Sequence, residues 1–176
     1  MKYSTLEGYN IVLRRLTEDK IELVRKWRND PKISQYMEYR KIISAEEQLK
    51  WFRKINNYNN YYFLIITGGM EVGLINIRDI DNEKKTGEPG IFIWNDNFLN
   101  SDISFRASAL LMDFVFDILE LQKLVIHVLS DNKRAISYNK LWGYRLSDNQ
   151  DGLYNQEYTL DRENYQKYKN KIIKYL

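Results

Sequence analysis

The stretch Leu124 to Tyr144, LVIHVLSDNKRAISYNKLWGY, constrains the fold more than any other part of the chain. Its apolar run, Leu124 to Leu129, is continuous enough for a buried strand. Ser130, Asp131 and Asn132 then break the run with side chains that accept hydrogen bonds from free backbone N–H groups, which is the chemistry of a helix start. A short helix follows, with Ala135, Tyr138, Leu141 and Trp142 on one face, and Gly143 closes it as a left-handed cap. A strand that feeds straight into a capped helix commits the chain to layering helices on a sheet.

Periodicity supplies the remaining layers. Ile11 to Leu13 reads as a first strand, and Thr17 as the cap of a helix whose apolar face is Ile21, Val24 and Trp27. That helix ends before Asp30-Pro31, because proline disfavours helical geometry in its neighbour. Ser44-Ala45-Glu46-Glu47 is a capping box opening a second helix, with Leu49, Phe52 and Ile55 inward. Tyr61 to Thr67, Val72 to Arg78 and Gly90 to Trp94 read as strands, separated by the turn Gly68-Gly69 and the polar loop Asp79 to Gly87. Asp102 caps a long helix, Ile103 to Leu121, which is apolar nearly all round and so buried on more than one side. Glu157 to Leu160 makes a last strand, and the tail is helical.

Composition narrows the function classes. A chain of 176 residues can bury a real core, and no repeat or linker divides it, so one domain is expected over residues 1–176. Its 44% hydrophobic and 14% aromatic content excludes a disordered chain. No apolar stretch approaches a bilayer span, and the opening MKYSTLEGYN carries no signal-peptide core, so a cytoplasmic protein without a membrane partner is expected. With no cysteine there is no disulfide framework, no thiol nucleophile and no thiolate metal site, and no metal is expected. The net charge of +3 is scattered among nearly as many acids, which is no nucleic-acid footprint. The only basic run, Lys167 to Lys174, lies among Tyr165, Tyr168, Ile172 and Leu176 and reads as a solvated amphipathic helix.

Strand, polar cap, short helix, glycine and aromatic together resemble the cofactor-binding half of the GNAT family of N-acetyltransferases. The family signature there is roughly N-x-x-A-x-x-x-Y-x-x-x-G-[FY], on which Asn132, Ala135, Tyr138, Gly143 and Tyr144 are placed. The order of elements matches that family over nearly the whole chain. The resemblance implies an α+β fold with a central mixed, mostly antiparallel sheet flanked by helices. It implies acetyl-CoA as cofactor and direct transfer in a ternary complex, since no cysteine is present to carry an acyl group. Ile91, Phe92, Ile93 and Trp94 would pair with the pantetheine arm where two strands splay apart. Leu99, Asn100, Ser101, Asp102, Ile103 and Ser104 would cradle the pyrophosphate at a helix N-terminus. Asn132 and Arg134 would also reach the cofactor.

The resemblance gives Tyr138 a general-acid role beside the thioester sulfur, against the alternative of one more core aromatic. Glu88 becomes the general base, against the alternative of a solvated loop acid beside Pro89. His127, the only histidine, reads as structural. The phosphate loop departs from the family's [QR]-x-x-G-x-[GA]: Leu99 stands at the Arg/Gln, Asp102 at the first glycine and Ser104 at the second. A carboxylate at 102 repels pyrophosphate unless Arg106, Lys133 or Arg134 offsets it. The alternative is that Asp102 is an N-cap on a site that no longer holds phosphate.

The segment WRNDPKISQYMEYRKIISAEEQLKWF resembles the amino-sugar N-acetyltransferases of the pseudaminic acid type, which act on a nucleotide-linked 4-amino-deoxysugar. That resemblance places Arg28, Met37, Tyr39 and Gln48 around the acceptor, with arginine suited to phosphate and Tyr and Met faces to sugar or base. The expected partner is a small-molecule amine, preferably a nucleotide-linked amino sugar, for a monomer or homodimer. The alternatives are a ribosomal-protein or peptide N-terminal acetyltransferase, whose layout is similar, and a binding module with a degenerate cofactor loop.

Overall fold

A computed structural model describes residues 3–176. In chain order the strands are β1 (Thr5–Gly8), β2 (Ile11–Arg15), β3 (Tyr61–Thr67), β4 (Met70–Asp81), β5 (Thr86–Ile93), β6 (Lys123–Leu129), β7 (Arg145–Leu146) and β8 (Asn155–Asp161). The helices are α1 (Ile21–Asn29), α2 (Pro31–Ser34), α3 (Ala45–Ile55), α4 (Ile103–Asp113), α5 (Lys133–Leu141) and α6 (Arg162–Ile172). The strands form one sheet in the order β1-β2-β3-β4-β5-β6-β8-β7. Every pairing is antiparallel except β5 with β6, which run parallel.

Strand alternation gives the sheet two apolar faces. Tyr62, Leu64 and Ile66 of β3 point to one side with Leu74 and Trp94, where α1 and α3 cover them through Val24, Phe52 and Ile55. Phe63 and Ile65 point to the other side with Ile75 and Ile77, under Leu111, Val115 and Phe116. Leu124, Ile126 and Val128 extend that second core beneath Trp142, Tyr158 and Tyr165. Fully burying one such side chain contributes about 1.5–3 kcal/mol. Among the described residues no helix is long and apolar enough to cross a membrane.

Several expectations need correction. Thr17 does not cap a helix; it precedes a 3₁₀ turn, Glu18–Lys20, and makes no capping hydrogen bond. Asp30 caps instead, accepting from the Lys32 N–H, and Pro31 sits in the first turn of α2, where its missing N–H costs nothing. The loop Asp79 to Gly87 shrinks to a short turn because β4 runs to Asp81 and β5 begins at Thr86; Asp79, at φ 51°, marks the bulge between them. The long helix stops short of Leu121, its last turns widening into a π-helix at Phe114–Ile118. Leu141 is exposed rather than inward. Strands β1 and β7 are unforeseen, and the β1–β2 turn uses Tyr9 and Asn10 at φ 52° and 57°, neither of them a glycine.

Candidate active site

The sheet has one weak seam. Strands β5 and β6 pair only at Thr86–Lys123 and Gly87–Leu124, and then diverge. On its other side β5 stays paired with β4 as far as Ile93. The Trp94 N–H donates to the Val72 carbonyl at 3.0 Å, so Trp94 and, by the alternation of the ladder, Phe92 spend their backbone groups on β4. Ile91 and Ile93 therefore turn their N–H and C=O groups into the gap, where they meet no strand among the described residues. Of the run Ile91 to Trp94 expected on the pantetheine arm, these two have the required orientation. Trp94 is instead a core residue, with its indole N–H on the Glu71 carbonyl at 2.9 Å.

At the mouth of the gap lies the loop before α4. Asp102 takes helical dihedrals and makes no capping bond, which corrects its reading as an N-cap. Its carboxylate runs along the helix to Arg106, 2.7 Å away, and that hydrogen bond holds its pKa below the usual aspartate value. Arg106 also reaches back to the Tyr9 carbonyl at 3.0 Å. Ser101 Oγ accepts weakly from the Ile103 N–H at 3.3 Å. The N–H groups of Ser104 and Phe105 have no acceptor among the described residues. Arg134, from the first turn of α5, lies over the loop and donates to the Leu99 carbonyl and to Asn100 Oδ1. Free helix amides, a neutralised Asp102 and an overhanging guanidinium fit an anionic pyrophosphate. Lys133 is drawn off to the Ser130 carbonyl at 2.6 Å.

Asn132 caps α5 as expected, its Oδ1 accepting from the Ala135 N–H at 3.1 Å, and Gly143 takes φ +93°. Tyr138 does not face the gap. Its hydroxyl donates to the Ser104 carbonyl and stands against Ser108 Oγ, both at 2.8 Å, and its ring tilts against Phe105. Burial raises its pKa, so the proton is held there. The cause is spacing: the signature tyrosine stands seven places after the asparagine and four before the glycine, which on this chain is Asn139. Tyr138 comes one place earlier, about 100° round the helix. Asn139 turns its amide back to the Ala135 carbonyl at 2.9 Å.

The open sheet face beside α1 and α2 carries a second cluster. Register brings Arg78 of β4 opposite Glu88 of β5, and His127 of β6 opposite Glu157 of β8. Arg78 donates to Glu88 Oε1 at 2.6 Å. His127 Nδ1 lies 3.7 Å from that same oxygen, and its Nε2 lies 3.9 Å from Glu157 Oε2. Arg28 looks onto this floor from the end of α1, near Tyr62, Arg78 and Tyr39. Burial draws its guanidinium below the ordinary arginine value; no carboxylate or carbonyl among the described residues pairs with it. Asn76 lies beside Gly90, where an added Cβ would stand 3.0 Å from Asn76 Oδ1.

Met37 is half-buried and Tyr39 exposed in the loop after α2, where Arg40 donates to the Met37 carbonyl. Gln48 does not belong to this pocket. It is buried, and its amide donates to the Ile21 carbonyl at 3.1 Å, tying α3 to α1. The sequence reading missed Tyr62, Asn76, Arg78 and Glu157. They stand on different strands with no shared motif, and only cross-strand register joins them.

A sheet split at one parallel seam, free amides at a helix start and a charged cluster on the open face together form a candidate acyl-transfer site, with room for a donor in the split. A family model for the acetyltransferase (GNAT) domain matches residues 10–141. The chain belongs to this family, and it is an acetyl-CoA-dependent N-acetyltransferase acting on an amine. It is 30% identical to acetyltransferase PseH of Campylobacter jejuni over 122 residues, which is 69% of this chain and 74% of that one. It is 25% identical to spermidine N(1)-acetyltransferase of Escherichia coli over 137 residues, 76% of this chain and 73% of that one. Among solved structures, apo FdhC, described as a nucleotide-linked sugar GNAT, superposes with a TM-score of 0.81 at 21% identity, over 98% of both chains. Spermidine N-acetyltransferase of Vibrio cholerae, in complex with CoA and spermine, gives 0.78 at 19% identity, over 90% of this chain and 99% of that one. At such identities the two superpositions speak for the fold.

Proposed function

We propose that this chain acetylates the amine of a nucleotide-linked amino sugar by direct transfer in a ternary complex. The observation that carries the reading is Arg28. A half-buried guanidinium with no carboxylate partner is a standing electrostatic cost, and an anion brought by the substrate removes it. Arg78 stands near it and is already paired with Glu88 at 2.6 Å and Asp79 at 3.6 Å, so Arg28 is the guanidinium left for a phosphate. Tyr39 and Met37 supply flat or soft apolar surface for a sugar or base. A polyamine would bring further positive charge to Arg28, which disfavours it.

When bound, acetyl-CoA supplies an acetyl carbonyl activated as a thioester. Ile91 and Ile93 would hold the pantetheine amides through their free backbone groups. The N–H groups of Ser104 and Phe105, with Arg134, would hold the pyrophosphate. Asp102 is compatible with this because Arg106 neutralises it. No cysteine is available for an acyl-enzyme, so the amine attacks the donor directly.

The test is an acceptor panel containing a UDP-linked 4-amino-4,6-dideoxyhexose, spermidine and a peptide with a free N-terminus. The nucleotide sugar is expected to have the highest kcat/KM. Arg28→Ala should raise its KM by about 10- to 100-fold, as expected for a charge-assisted hydrogen bond of about 1.5–3 kcal/mol. A peptide or spermidine that outcompetes the nucleotide sugar overturns the assignment.

A further inference from the structure

We infer that His127, poised between Glu88 and Glu157, is the group that takes the proton from the acceptor amine. The inference rests on the open sheet face being the acceptor floor. Three observations converge on this residue. It lies on β6 just beyond the last residue pair that joins β5 to β6, at the root of the gap that opens toward the donor site. Its side chain is 42% exposed, so a substrate can touch it. Both its ring nitrogens lie near carboxylates, at 3.7 and 3.9 Å, yet neither distance is a hydrogen bond. A ring nitrogen is thus left open to accept a proton, with a carboxylate lying beyond each nitrogen.

Glu88 is the less available acceptor of that proton, because its Oε1 already accepts from Arg78 at 2.6 Å. Arg78 thereby fixes Glu88 beside the imidazole, with Glu157 on the ring's other side. The charged groups facing His127 are Glu88 from β5, with Arg78 of β4 behind it, and Glu157 from β8. In the step, the amine nitrogen bonds to the acetyl carbon and passes a proton to His127. The carbon–sulfur bond breaks, and the departing thiolate takes a proton from water. His127 then releases its proton to solvent, and the balance closes without another reactant.

Being the only histidine, His127 gives a single pair of imidazole C–H resonances, which makes the test direct. Those resonances are titrated by NMR in the wild-type protein with CoA bound, with and without the acceptor. Separately, kcat/KM is followed against pH for whichever of the UDP-amino sugar, spermidine or peptide the wild type acetylates best. The acidic limb of the rate profile is expected to share its midpoint with the imidazole titration, and acceptor binding should move the resonances. His127→Gln should abolish the limb and lower kcat by about 100-fold or more, with acetyl-CoA affinity unchanged. His127→Ala should behave alike and recover turnover when imidazole is added. An acidic limb and kcat that survive in His127→Gln overturn the inference whichever acceptor wins, whereas a change of preferred acceptor with the limb lost overturns only the substrate assignment.

Discussion

Tyr138 illustrates how one residue of offset along a helix redirects a side chain, because successive residues point about 100° apart. Its hydroxyl is spent on Ser104 and Ser108 of α4, so it staples α5 to α4 instead of reaching the gap. Tyr138→Phe should therefore leave kcat within about twofold and lower stability by about 0.5–1.5 kcal/mol, the net worth of a typical hydrogen bond. Thermal melts beside steady-state rates decide it, and a 100-fold loss of kcat would restore the general-acid role. Asp102 is argued the same way, from its partner. Its depressed pKa means that the Asp102–Arg106 pair persists above the ordinary aspartate range and is lost only as pH falls through the lowered value. At pH 7, Arg106→Gln would bare the carboxylate beside the free amides and weaken acetyl-CoA binding by roughly 2- to 5-fold. Asp102→Asn in that background should recover the affinity. A calorimetric titration of the single and double variants measures the coupling.

At the scale of elements, the starts and stops that depend on side chain-to-backbone bonds were legible in the sequence. Ser44 and Glu47 form the expected capping box, at 3.2 and 2.7 Å, and Asn132 caps α5. Ser44→Ala should cost about 1 kcal/mol, read from the denaturant midpoint. Gly143 was legible for the same reason, and the structure adds a second constraint. At φ +93° an added Cβ would stand 2.6 Å from Tyr168 Cδ2, against the C-terminal helix. Gly143→Ala should therefore cost more than about 2 kcal/mol, combining left-handed strain with a clash. Elements without such local chemistry stayed hidden. The β1–β2 turn places Tyr9 and Asn10 where glycine is the usual signal, and β7 is only Arg145–Leu146 held by β8. The charged cluster proposed as the acceptor floor was equally hidden. Arg78, Glu88, His127 and Glu157 are separated in sequence and meet only because β4, β5, β6 and β8 lie in register. The donor side was half legible: the helix amides and Arg134 lie in contiguous motifs, but which residues of Ile91 to Trp94 face the gap depends on the ladder's phase.

At the scale of the molecule, the seam between β5 and β6 divides the sheet into a five-stranded half and a three-stranded half joined by two residue pairs. Below the gap the halves share one core, where Leu121 and Leu124 pack with Ile77 under α4. Gly87 marks the closest approach, since an added Cβ would lie 2.8 Å from Ile77 Cδ1 and 3.2 Å from Leu121 Cδ1. Above it the backbone groups of Ile91 and Ile93 are open, so a donor lying in the gap, as proposed, would replace the missing strand and tie the halves together. Acetyl-CoA should then stabilise the fold by mass action, about 2.7 kcal/mol at 100 times Kd. Its local signature should be stronger than its global one: slowed amide exchange at Ile91 and Ile93 and at Ser104 and Phe105, with Phe92 and Trp94 unchanged because β4 already holds them. Gly87→Ala should wedge the seam open, lowering the melting temperature of the free protein while leaving the order of protection intact. Protection spread evenly along β5, or confined to Phe92 and Trp94, would mean that the donor does not pair with this edge.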